Sequence, residues 1–279
     1  MSKKKTLIYV MLSTIISSLI SGYIGLQTGK VWEHNNCIGF ASTCLSSKGM
    51  DFWEMPRIQK LFWALSEVVG LENFHSDYGQ DKWIVRSVFP GVRNGYFVDV
   101  GSGDGEKSSN TKVLDDLGWK GICIDPFPTN MEHRHCKVCK EVVYGAAGQK
   151  VSFRAGGFLG GILNHRGLTV EWPGVKDART VEFTTVTLDD ILAQADAPHF
   201  IHYISIDIEG AELEALKGFS FSKYKVGTFT IEHNYDEPKR SQIRSLLESK
   251  GYRFVLNLFR DDCYVAENLL KKTENSQNK

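Results

Sequence analysis

Phe97-Val98-Asp99-Val100-Gly101-Ser102-Gly103-Asp104-Gly105 is the stretch that decides the fold. Its first half is apolar, aromatic and β-branched apart from one acid, which reads as a buried strand. Its second half places glycine at every second position. Glycine there suits a tight turn in which the backbone approaches a ligand closely. A strand, a glycine turn and a helix make the nucleotide-binding arrangement of doubly wound folds. A G-x-G-x-x-G dinucleotide turn needs its third glycine at position 106, which is Glu106, so a nicotinamide cofactor is disfavoured.

Outward from this stretch, strands and helices alternate. A helix is expected at Gln80 to Val88, a strand at Tyr96 to Val100, and a helix from Glu106 to Leu117 ended by Gly118. Gly121 to Ile124 is a second strand, closing on Asp125-Pro126, and Glu141 to Ala147 a third. Thr187 or Asp189 caps a helix at Thr187 to Leu192. His202 to Ile208 and Val226 to Glu232 are strands, followed by helices at Ala211 to Lys217 and Ser241 to Lys250. Tyr252 to Leu256 and Cys263 to Val265 close the chain as an antiparallel edge hairpin. The pattern predicts an α/β fold with a mostly parallel sheet covered on both faces. Val151 to Val186 breaks it as a glycine-rich insertion, a candidate lid.

Asp125 ends the second strand, where a carboxylate can accept both ribose hydroxyls of a nucleoside. With these residues in place, the chain resembles the FkbM-type S-adenosylmethionine-dependent methyltransferases over His75 to Val265. The blocks that carry the resemblance are "YGQDKWI" (Tyr78 to Ile84), "GYFVDVGSGDG" (Gly95 to Gly105), "SNT" (Ser109 to Thr111), "GWKGICIDPFP" (Gly118 to Pro128), "TLDDIL" (Thr187 to Leu192), "YISIDIEGAELEALKGF" (Tyr203 to Phe219) and "IEHN" (Ile231 to Asn234). Two positions depart from it: Asp125 stands where the family commonly has Glu, and Ser205 where many members have Lys. The resemblance implies a seven-stranded Rossmann-like sheet. It implies that Asp99, Gly101, Ser102 and Gly103 shape the pocket for the methionine portion of the donor. Asp125, with Pro126 behind it, holds the ribose, and Ala146 flanks the adenine.

Methyl transfer to a hydroxyl needs in-line positioning, exclusion of water and a group to take the proton. Ligands of such sheets lie beyond the carboxyl ends of the strands. Asp207, Glu209, Glu232 and His233 all leave strands there. Asp207, Glu209 and His233 are the candidate catalytic residues, Asp207 first, because a carboxylate interrupting a buried strand is expensive without a purpose. Helix capping competes as the explanation of Glu209, and a structural role as that of His233. His165, in the insertion, could reach over the acceptor. An oxygen-rich metal site of Asp207, Glu232 and His233 would suit magnesium, but no metal is assigned from the sequence.

The chain has 279 residues, with 33 basic and 33 acidic. That balance argues against a nucleic-acid partner. Ser2-Lys3-Lys4-Lys5 precedes Thr6 to Gly29, an uncharged run about long enough to cross a bilayer. Residues 1–30 are therefore expected to form a cytosolic basic tip and a membrane anchor, with the bulk of the chain on the outer or lumenal side. A cleaved signal peptide, and hence secretion, is the alternative. Residues 31–74 follow as a linker with an amphipathic helix at Phe52 to Val69, residues 75–268 as the methyltransferase-like domain, and residues 269–279 as a disordered tail. Of the cysteines, Cys37 and Cys44 can bridge in an oxidising compartment, and Cys123 reads as a buried small residue. Cys136 and Cys139, beside His133 and His135, admit zinc, a thiol pair or a redox bridge.

Two functions follow. One is a membrane-anchored enzyme that methylates a hydroxyl of a sugar, glycan or other small molecule. The other is an inactive methyltransferase-fold protein serving in trafficking or as a scaffold. An outward-facing enzyme needs the donor, made in the cytosol, delivered across the membrane; otherwise the orientation is reversed.

Overall fold

The computed structural model describes residues 74–163, 165 and 177–270. The expected anchor at Thr6 to Gly29, the amphipathic helix at Phe52 to Val69, Cys37, Cys44 and the tail from Lys271 lie outside the described residues. Among the described residues no helix is long and apolar enough to cross a membrane.

Ten strands are described: β1 (Tyr96–Val100), β2 (Lys120–Ile124), β3 (Lys137–Cys139), β4 (Lys150–Arg154), β5 (Gly161–Ile162), β6 (Thr180–Thr184), β7 (Phe200–Ile206), β8 (Lys225–Glu232), β9 (Tyr252–Leu258) and β10 (Asp261–Ala266). Seven form one sheet in the order β3-β2-β1-β7-β8-β10-β9. Neighbours pair in parallel from β3 to β8, while β10 runs antiparallel to both β8 and β9. The helices are α1 (Gln80–Trp83, continuing as a π-turn through Ile84–Val88), α2 (Lys112–Asp116), α3 (Leu188–Gln194), α4 (Glu212–Lys217) and α5 (Glu237–Ser249).

Alternation along each strand separates two interiors. Val98, Val100, Ile204 and Ile206 share one apolar core with Leu188 and Ile191 of α3, Ala215 and Leu216 of α4, and Ile243 and Leu247 of α5. The intervening positions Asp99, Tyr203, Ser205 and Thr230 are buried polar groups on the other face. There Asn110 donates to Ser205 Oγ at 2.9 Å, and the hydroxyls of Tyr203 and Thr230 meet at 2.7 Å. Such a layer is tolerated because its members find partners.

Four expectations change. The third strand of the sheet is β3, whereas Glu141 to Ala147 makes only an isolated bridge from Val143 to Val186. The helix expected from Glu106 is confined to α2, since Asp104 accepts from the amides of Glu106 and Lys107 and pairs as a bridge with Thr129. Those local bonds compete with helix formation. Cys123 is bridged to Cys136, 13 residues away, so the disulfide joins β2 to the approach of β3 and leaves Cys139 a free thiol. The insertion folds where it is described, as a second antiparallel sheet in the order β5-β4-β6. Thr187, rather than Asp189, caps α3 through a capping box with Asp190.

Candidate active site

A cavity of about 380 Å³ opens at the carboxyl ends of β1, β2, β7 and β8. One wall is the glycine turn. The amides of Gly101 and Ser102 both donate to the Ile124 carbonyl, at 2.8 and 3.1 Å, which folds the turn back onto β2. Gly101 has φ +89°, and a Cβ there would collide with the Asp207 carbonyl oxygen. Only glycine lets these two strand ends approach so closely. The Ser102 hydroxyl is buried in this wall without a hydrogen-bond partner.

Two acids brace the turn. Asp125 accepts from the Gly103 amide at 3.0 Å and from the Phe127 amide at 2.7 Å. Burial nevertheless pushes its carboxyl above the ordinary value. Asp99 accepts the Thr111 hydroxyl at 2.6 Å, and Thr111 in turn accepts from Arg134 Nη2 at 2.8 Å. Arg134 is itself locked to buried Asp115 at 2.8 Å. Burial raises Asp99, while Arg134 and Thr111 pull it back. Phe158, in the short 3₁₀ turn Gly157–Leu159 of the insertion, lies across the wall within contact range of a Cβ added at Gly103.

The opposite wall is acidic. Asp207 follows β7 directly, Glu209 lies in the next turn with φ 55°, and Glu232 ends β8. One carboxylate oxygen from each lies within 4.8 Å of the others. Burial, then neighbouring acids, push Glu209 up to about 8, and burial takes Asp207 to about 6. Glu232 is raised further, for the same two reasons. Asn234 donates to Glu209 at 3.2 Å. Seven carboxylates line the cavity against two cations, Lys107 and Arg260, so the wall as a whole attracts positive charge.

The family model of the Methyltransferase FkbM domain matches residues 99–254, more than half of the chain. The chain belongs to the FkbM methyltransferase family. No curated protein and no solved structure matches it. The matched span starts at Asp99 and takes in the glycine turn and the Asp207, Glu209 and Glu232 cluster.

Within this FkbM domain the cavity gathers Asp99, Gly101, Ser102, Gly103, Asp125, Pro126, Asp207 and Glu209. It does not gather Ala146 or His233. Ala146 is exposed and its carbonyl accepts from Thr185, so Glu141, Val142 and Val143 form the wall at that end instead. The His233 ring turns into the protein: Nδ1 accepts from the Tyr235 amide at 3.0 Å, and Nε2 lies 3.0 Å from Asn257 Nδ2 and 3.6 Å from Asp262. Burial lowers its pKa. His165 packs edge-on against Tyr144 at 5.5 Å and is not part of the wall.

Sequence reasoning passed over Arg134, whose place in "HRHCKVC" was taken up with metal ligands. Its signal was a lone arginine in a segment the sheet had to bury. Arg260 and Asp261 were also missed. Two adjacent acids at the head of a closing strand were the sign that something charged happens there.

Proposed function

We propose that the protein transfers a methyl group from S-adenosylmethionine to a hydroxyl of a sugar, glycan or other small molecule. The observation that carries this reading is one cavity joining a braced glycine turn to a cluster of acids with raised pKa. The residues present fit the donor. Gly101 and Gly103 leave backbone room, the Ser102 hydroxyl is a buried polar group lacking a protein partner, and the electronegative wall suits a sulfonium cation. A cavity of about this size holds a small ligand with most of its surface covered.

Asp99 and the turn Gly101 to Gly103 would hold the methionine portion. Asp125 has lone pairs to spare for ribose hydroxyls beyond its two backbone bonds, and Pro126 stiffens its turn. When bound, the donor supplies an electrophilic methyl group on sulfur. Phe158 and the insertion turn lie over the glycine-turn side of the cavity. Asp207, with Glu209 beside it, would take the acceptor's proton. A value of about 6 leaves Asp207 ionised at neutrality, as a general base has to be, whereas Glu209, at about 8, holds its proton there.

Calorimetric titration of the full chain with S-adenosylmethionine tests the reading. Saturable binding is expected, weakened at least tenfold by Asp99→Ala and by Asp125→Ala. Absence of binding, or binding indifferent to both changes, would favour the scaffold role. Methylated sugars and glycans compared with and without the gene would identify the acceptor.

For localisation, the reading is a membrane protein held by Thr6 to Gly29. The Cys123–Cys136 disulfide supports an oxidising compartment for the catalytic domain, the side chosen by Lys3 to Lys5. The donor must then be delivered there. Cysteine alkylation of protein from sealed vesicles, with and without reductant, tests this; full reactivity of Cys123 and Cys136 without reductant would place the domain in the cytosol.

A further inference from the structure

The geometry points to a site for one divalent cation, of the hard magnesium, manganese and calcium class, held by Asp207, Glu209 and Glu232. It extends the methyl-transfer reading, since it occupies the acceptor end of the same cavity, but its test needs neither donor nor acceptor.

The spacing fits. An ion with oxygen ligands at about 2.1–2.4 Å keeps opposite ligands about 4.2–4.8 Å apart, and one oxygen from each of the three acids lies within 4.8 Å of the others. The donor set is all oxygen, which selects a hard ion over zinc or copper.

The charge is only partly compensated by the surrounding protein: Arg260, on the same cavity wall, acts on Glu209, one cation for three acids. Lys239 is committed to Glu212 at 2.8 Å, while Arg240 and Arg244 are committed to Asp262. Glu212, next to the cluster, is also satisfied by the amides of Ile208 and Gly210. Glu232 differs. It is 4% exposed and lines the cavity, yet its Oε2 is buried without a partner. Directly opposite it in the β8–β10 register stands Asp261, equally buried, whose Oδ1 also has no partner. Two carboxyls facing each other across a strand pair repel once ionised, and burial magnifies the cost. The side-chain partner of Glu232 is Asp207, another acid of the cluster, whereas Glu212 is paired with a lysine. An ion among the three acids offsets that repulsion and brings a positive charge to the acceptor end, where it would lower the pKa of a coordinated hydroxyl.

The test is manganese titration of the EDTA-stripped full chain, followed by electron paramagnetic resonance of free Mn²⁺, with melting temperature as a second readout. One Mn²⁺ per chain is expected, displaced by Mg²⁺ or Ca²⁺ and weakened at least tenfold by Glu232→Gln and by Asp207→Asn. Mn²⁺ should raise the melting temperature of the wild type but not of Glu232→Gln. In EDTA, Glu232→Gln should melt at or above the wild type, because it removes a carboxyl that is costly to bury; this also establishes that the variant folds. No saturable Mn²⁺ binding in the millimolar range, binding unchanged in both variants, or a Glu232→Gln protein that melts below wild type in EDTA would each overturn the site. Donor binding measured in EDTA bears on the methyl-transfer reading alone, so the two can fail separately.

Discussion

Asp261 and Asp262 are neighbours on β10 and equally buried, at 2% and 1% exposed, yet their surroundings are opposite. Strand alternation sends them to different faces. Asp262 meets α5, where Arg240 donates at 2.7 and 2.9 Å and Arg244 at 2.9 Å. Burial pushes its carboxyl up, but the arginines outweigh burial and hold it below the ordinary range. Asp261 meets Gln80 at 3.1 Å on one oxygen and nothing on the other, opposite Glu232. Its carboxyl is driven well above the usual value, first by burial and then by Asp207. On β10 the fold therefore neutralises the buried acid of one face with arginines and leaves that of the other face without a cation. The unneutralised face is the one that opens on the cavity, which is where a functional site is expected.

The same substitution at the two positions should thus have opposite signs. Asp262→Asn leaves two guanidiniums without their anion. Breaking a buried pair costs about 3–5 kcal/mol, and the partial exposure of both arginines reduces this to about 2–3 kcal/mol. Thermal denaturation should show a fall of roughly 5–10 °C. Asp261→Asn removes a carboxyl that has to take up a proton to be buried and gives Glu232 a donor across the strand pair. A gain of about 1 kcal/mol, or roughly 2–4 °C, is expected in EDTA. Two losses of equal size would mean that both faces are structural and that the contrast is false.

Most of the fold was legible because its signals are local. The "FVDVGSGDG" stretch carries its own strand and its own turn, and β7, β8 and α4 keep their apolar periods. The third strand was misplaced because Glu141 to Ala147 is the more β-prone segment. Lys137 to Cys139 pairs with the β2 edge, next to the Cys123–Cys136 disulfide, and partners distant in sequence leave no local mark. The donor side of the site was legible for the same reason as the fold: glycines and acids sit in one turn. The acid side was half legible. Asp207 and Glu209 stood out as charges interrupting a buried run, but His233 looked identical to a ligand. Its neutral, inward role depends on Asn257 and Asp262, which only the tertiary structure brings to it.

Titration sharpens the contrast between the faces. Glu209 and Asp207 bind protons more tightly in the folded chain than when unfolded, so they add stability below about pH 4 and lose it as pH rises through about 6 and about 8. Asp262 runs the other way: its contribution is present above about pH 4 and is lost as pH falls further. In EDTA the melting temperature should therefore decline by a few degrees between about pH 5 and about pH 9. Glu209→Gln should flatten the upper part of that profile. A flat wild-type profile would show that the acids of the cavity are already compensated.

The smallest effect belongs to the outer end of the same arginine. Arg240 also meets Glu237, at 3.1 Å, but Glu237 is two-thirds exposed at the start of α5. Water and salt screen such a pair, and it contributes about 0.5 kcal/mol or less, including what the acid gains from the helix dipole. Glu237→Ala should lower the melting temperature by about 2 °C at most, and raising the salt to about 1 M should remove most of that difference. Most of the loss caused by Asp262→Asn should survive the same salt, because Asp262 itself is buried. If Glu237→Ala matched Asp262→Asn in size, Arg240 would be anchored from outside, and the neutralised face would owe little to its buried acid.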